Sequence, residues 1–109
     1  SGKFDNLEIQ DFFLELVRND SHPKLRETTV RQLAKIAGDR SAEALIGALD
    51  QDSAWNVRYA AARELGTLRS GSSSALVRTA LKDAVVHDQD SRVQEAARQS
   101  LKSKLPSTD

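Results

Sequence analysis

A chain of 109 residues with 16 basic and 16 acidic side chains has the size of one domain and no overall charge to draw it to nucleic acid or an anionic membrane. Apolar residues make up 39% of it but aromatics only 5%, so its core must be built from Leu, Val, Ile and Ala, which is a composition for packing helices. The lack of cysteine excludes disulfides, thiolate nucleophiles and thiolate metal sites together and fits a cytoplasmic or other intracellular address.

The chain opens Ser1-Gly2-Lys3-Phe4-Asp5 without the hydrophobic stretch of a signal peptide, and no later apolar run approaches the ~18 residues of a membrane span. Ser1-Gly2 reads as a cleavage scar on a piece of something longer, ahead of a single domain at 3–105 and a tail at 106–109. The first predicted helix covers 3–19, where Phe13 and Val17 lie one turn apart. Phe12 points about 100° away from Phe13, and Phe4, Leu7 and Ile9 extend the apolar start. This helix is either a cap wrapped by its own N-terminal tail or a face that receives another unit. The acidic Asp5, Glu8, Asp11 and Glu15 supply a polar outside and favour the cap.

From Asp20 onward the chain repeats itself. Asp20, Asp52 and Asp88 are each followed at +5 by an aliphatic, at +9 by a small residue and at +13 by Leu. Four-residue steps return to one side of a helix, so Leu25/Thr29/Leu33, Val57/Ala61/Leu65 and Val93/Ala97/Leu101 predict three buried stripes, each on the second helix of a unit. Upstream, Phe13/Val17, Leu45/Leu49 and Leu81/Val85 mark the first helices. The Asp-containing stretches between them carry Ser, Pro, Asn and further Asp, residues that favour turns and helix N-caps. Gly38-Asp39-Arg40-Ser41 is suited to end one helix and cap the next. The corresponding Arg69-Ser70-Gly71-Ser72-Ser73-Ser74 is longer: Val57 to Val93 spans 36 residues where Leu25 to Val57 spans 32. The extra residues read as a serine-rich surface loop. Three helix-turn-helix units result, at about 3–37, 39–69 and 73–105.

Asp52-x4-Val57-Arg58-x2-Ala61-Ala62-x2-Leu65-Gly66, with Gly38-Asp39-x2-Ala42-x2-Leu45-Ile46-x2-Leu49 before it, resembles the HEAT repeat family, particularly its short, lyase-type subgroup. The resemblance runs from about Leu7 to Leu105 and is strongest in the middle unit. It implies an all-α fold, a right-handed α-α superhelix or solenoid of three helical hairpins and about six helices. It also implies a ladder along the turns from an Asp and the Arg six residues later, here Asp20/Arg26 and Asp52/Arg58, with Gln94 breaking the pattern in the third unit. Such a pair is chemically sensible, because a turn carboxylate can cap helix N–H groups while a guanidinium one turn in offers parallel donors.

Charge is segregated although it sums to zero. The second helices, taken as 23–37, 53–69 and 90–105, hold eleven Lys and Arg against four Asp and Glu. In stacks of the resembled family these helices line the concave face, which implies a basic inner strip for an acidic protein segment or, alternatively, a phosphate backbone. Arg31, Lys35, Tyr59, Ala62, Arg63, Arg98 and Lys102 lie off the buried stripes, with Lys24 and Trp55 near the helix starts. Trp55 and Tyr59, one turn apart beside Arg63, form the candidate contact centre; Trp55 packing over the joint between units is the competing assignment.

Neither a P-loop nor a nucleophile-elbow spacing occurs. His22 and His87 lie in turns beside Asp, and His87, Asp88 and Asp90 lack ordered ligand spacing, so no catalytic, cofactor or metal residues are assigned. The reading is a non-catalytic, monomeric protein-interaction scaffold without membrane contact. Nucleic-acid binding, or service as an accessory segment of a lyase or an NTPase-linked sensor, are the alternatives.

Overall fold

The computed structural model describes residues 22–69 and 71–104. Among them are five α-helices: α1 (Pro23–Ala37), α2 (Ala42–Gln51), α3 (Trp55–Thr67), α4 (Ser74–His87) and α5 (Ser91–Lys104). Short 3-10 turns precede α2 (Gly38–Ser41) and α4 (Gly71–Ser73). The helix expected over 3–19, with Phe12, Phe13 and Val17, lies outside the described residues, as do Asp20, Ser70 and the tail.

Local chemistry sets the helix boundaries. Pro23 stands at the first position of α1, where its missing N–H costs nothing. Gly38 ends that helix at φ +54°, a conformation that a Cβ disfavours. Ser41 does not cap α2 as its position suggested: it is fully buried, and its hydroxyl donates back to the Gly38 carbonyl at 2.6 Å. Instead α2 grows directly out of the 3-10 turn. Asp90, immediately before α5, is a true side-chain cap, its Oδ1 accepting the Arg92 N–H at 2.8 Å.

Two layers follow. Helices α2 and α4 form one, α1, α3 and α5 the other, and the hairpins α2–α3 and α4–α5 join them. Val57, Ala61 and Leu65 of the middle stripe are fully buried, as are Val93 and Ala97 in α5, with Leu101 half-buried. Leu45 and Leu49 on α2 and Leu81 on α4 complete the core from the other layer. Such side chains each contribute roughly 1.5–3 kcal/mol through burial. The first unit departs from its expected stripe. Leu25 is 51% exposed, and the buried row of α1 is Arg26, Val30, Leu33, Ala34 and Ala37. Arg26, at position +6, is buried against a carboxylate of the next unit.

That contact reveals how the units are joined. Arg26 donates through Nε and Nη2 to both carboxylate oxygens of Asp52, at 2.9 and 3.1 Å, with 7% and 0% of the two side chains exposed. Arg58 repeats the arrangement one unit on, its Nε donating to Asp88 at 2.9 Å. In both of these pairs the carboxylate belongs to the unit after the Arg, while the Asp20 side of the expected Asp20/Arg26 pair lies outside the described residues. Within the unit, Arg58 reaches only the main-chain carbonyl of Asp52, at 2.9 Å. The Asp carboxylates also brace their own turns, Asp52 accepting the Ala54 N–H and Asp88 the Asp90 N–H, each at 2.9 Å. Gln94 retains the within-unit half of the pattern, donating to the Asp88 carbonyl at 2.7 Å.

Close approach of α3 and α5 rests on small residues. Ala60, Ala61, Ala62, Ala96 and Ala97 are all buried, and a Cβ on Gly66 would lie 2.8 Å from the Ser100 Cβ. Ser100 donates its hydroxyl to the Ala62 carbonyl at 2.7 Å, which explains why Ala62, expected off the stripe, is instead inside. By contrast α2 and α4 approach each other sparingly. Tight packing in one layer spreads the other.

Candidate functional site

The second-helix layer carries the residues singled out from sequence. Trp55 begins α3 and Tyr59 follows one turn later, their rings edge to face with centroids 6.0 Å apart. Arg63, a further turn along, donates to the Tyr59 hydroxyl at 3.2 Å and lies 5.8 Å from its ring centroid. The three do come together as a row along one helix. Trp55 remains 38% exposed.

A fourth member comes from the next unit. The Arg92 guanidinium stacks 3.4 Å from the Trp55 ring centroid, and it is held there by Asp90, which accepts from its Nε at 3.1 Å and its Nη2 at 2.8 Å. These bonds hold the Asp90 carboxyl at about 2 and raise the Arg92 guanidinium above its ordinary range. Trp55 therefore both packs over the joint and shows an edge to solvent.

Arg92 was not among the sequence candidates, yet a signal for it existed. It is the fourth residue after Asp88, as Asn56 is after Asp52. Asn56 also reaches back to the preceding unit, its side-chain amide donating to Glu27 at 3.1 Å and the Pro23 carbonyl at 3.4 Å. That amide, followed by Arg31, holds the Glu27 carboxyl below its ordinary range. Comparing equivalent positions between units, rather than neighbours within one, would have found the contact.

Between α3 and α5 lies a shallow cleft of about 530 Å³, lined by Tyr59, Arg63, Arg92, Glu95 and Gln99 among others. The flanking candidates sit on either side. On α1, Arg31 pairs with Glu27 at 3.0 Å, and Lys35 is exposed one turn on. On α5, Arg98 pairs with Glu95, and Lys102 is exposed one turn on. The basic strip is less basic than its residue count. Arg26 and Arg58 point into the ladder, and Arg31, Arg92 and Arg98 each share a neighbouring carboxylate.

Among the described residues no three His, Asp or Glu side chains gather to hold a metal, and no helix is long and apolar enough to cross a membrane. His87 bonds to Asp83 at 2.9 Å, one turn back on α4. No curated protein and no solved structure matches the chain. A family model of HEAT repeats matches residues 11–102, so the stacked hairpins, the small-residue joint and the turn ladder belong to a chain that is a member of the HEAT repeat family.

Proposed function

We propose that this chain is a non-catalytic scaffold that docks a protein partner along its second-helix face, centred on Trp55, Tyr59 and Arg63. HEAT repeats are commonly protein-interaction scaffolds and are generally non-enzymatic. The observation that carries the reading is the row Arg92–Trp55–Tyr59–Arg63, half-buried at Tyr59 and exposed at the other three, in which two rings and two guanidinium groups are already held in place across a joint. Preordered aromatic and Arg side chains lose little freedom on binding and are typical contact hot spots. Arg31, Lys35, Arg98 and Lys102 form the surrounding rim, in which the exposed Lys35 and Lys102 are the cations for an acidic side chain of the partner, Arg31 and Arg98 being paired with Glu27 and Glu95. The whole domain is read as a right-handed superhelix of three hairpins, with 3–19 as its sixth helix.

The test compares wild type with a Trp55/Tyr59/Arg63 alanine triple in pull-downs read by mass spectrometry, with circular dichroism to show both are equally helical. Partners retained by the wild type and lost by the triple variant are expected; equal capture would remove this surface from consideration. The carboxylates paired with Arg31, Arg92 and Arg98 argue against a phosphate-backbone ligand. A DNA or RNA titration at low salt is accordingly expected to show no binding, and affinity falling steeply with salt would reverse that assignment.

A further inference from the structure

The first-helix layer carries a second surface with the opposite chemistry. Because the small residues of α3 and α5 bring those helices close, α2 and α4 splay and leave a cleft of about 770 Å³ between them. Ile46 and Ala80 line it, and Leu76, 56% exposed, stands at its edge. Glu43, Asp50 and Asp83 also line it. The cations among the lining residues are already engaged: Arg58 with Asp88 and the Asp52 carbonyl, and His87, when protonated, with Asp83. An apolar channel rimmed by carboxylates therefore faces solvent on the side away from Trp55 and Tyr59.

We propose that this cleft docks a basic amphipathic helix of a partner protein. A helix lays one apolar stripe into a groove and projects charge from its flanks. Here Leu- or Ile-type side chains would cover Ile46, Leu76 and Ala80, while Lys or Arg on the flanks would meet Glu43, Asp50 and Asp83. The same carboxylates repel an acidic helix or a phosphate backbone, so charge selects the occupant as well as attracting it. The cleft and the Trp55 row lie on different layers and bind independently.

A fluorescein-labelled peptide of Leu and Lys in amphipathic helical spacing, with a Leu and Glu counterpart as control, is titrated with the chain by anisotropy at low salt. The Lys peptide is expected to bind and the Glu peptide not to. Asp50→Lys with Asp83→Lys, both exposed positions, should weaken binding by roughly tenfold or more; the Trp55/Tyr59/Arg63 alanine triple should leave it unchanged. Absence of binding by the Lys peptide, equal binding of the Glu peptide, or unchanged affinity in the natively helical double variant would overturn the proposal. Loss of binding only in the alanine triple would also overturn it, because the peptide would then occupy the other layer.

Discussion

Asp52 accepts two hydrogen bonds from Arg26 and one from the Ala54 N–H while its side chain is wholly buried. Replacing it with Ala leaves a guanidinium out of water without its carboxylate, a loss of about 3–5 kcal/mol. The same change at Asp88 should cost less, since Arg58 is 16% exposed where Arg26 is 7% exposed. Urea midpoints of the two variants test the order, and equal losses would contradict the burial argument. Asp90 gives a pH-dependent counterpart. Its carboxyl is lowered from 3.8 to about 2, chiefly by the Arg92 side-chain bonds. A lowered folded value means that its contribution is present above pH 3.8 and lost as pH falls toward 2. Since Arg92 covers the sole Trp, Trp55 emission should change across that interval, and Asp90→Asn should flatten the response, with circular dichroism recorded alongside. Spacing singled out Asp52 and Arg58, but not that the Asp52 carboxylate would pair with Arg26 and that Arg58 would pair with Asp88. Asp52 lies six residues from Arg58 and 26 from Arg26, and only the stacking of units decides which guanidinium meets the carboxylate.

At the scale of single helices, Gly66 decides how closely α3 and α5 can lie. Gly66→Ala gains up to ~1 kcal/mol in helix propensity, but the added methyl meets the Ser100 side chain and lies 3.1 Å from its Cα. Forcing the helices apart costs about 1–3 kcal/mol, so the variant should melt at lower temperature than wild type, and adding Ser100→Gly should return part of the loss. An increase in melting temperature from Gly66→Ala alone would show the joint to be slack. Helix periodicity was readable wherever apolar residues alone fill the interior, as in Val57/Ala61/Leu65. It misled in α1, where Leu25 is 51% exposed and the charged Arg26 takes a place in the buried row. Ser41 misled as well, because its hydroxyl folds back onto the Gly38 carbonyl of the 3-10 turn rather than forward onto the helix.

Across the whole molecule, three near-copies whose apolar sides need covering were enough to predict a stack, since one hairpin cannot hide both faces. Its uneven spacing was not predictable. The cleft between α2 and α4 belongs to neither helix and arises from how tightly the opposite layer closes, a property of Gly66, Ser100 and their alanine neighbours acting across units. The side-chain contacts between units also give the stack a direction. The first two units send a guanidinium forward to their successors, Arg26 to Asp52 and Arg58 to Asp88, and the second and third send an amide or guanidinium back, from Asn56 to Glu27 and from Arg92 to Trp55. A copy of the α2–α3 hairpin spliced in after Lys104 would offer its aspartate to Gln94, a side chain with no charge to return, so elongation at that end would call for Gln94→Arg before the new segment could lock.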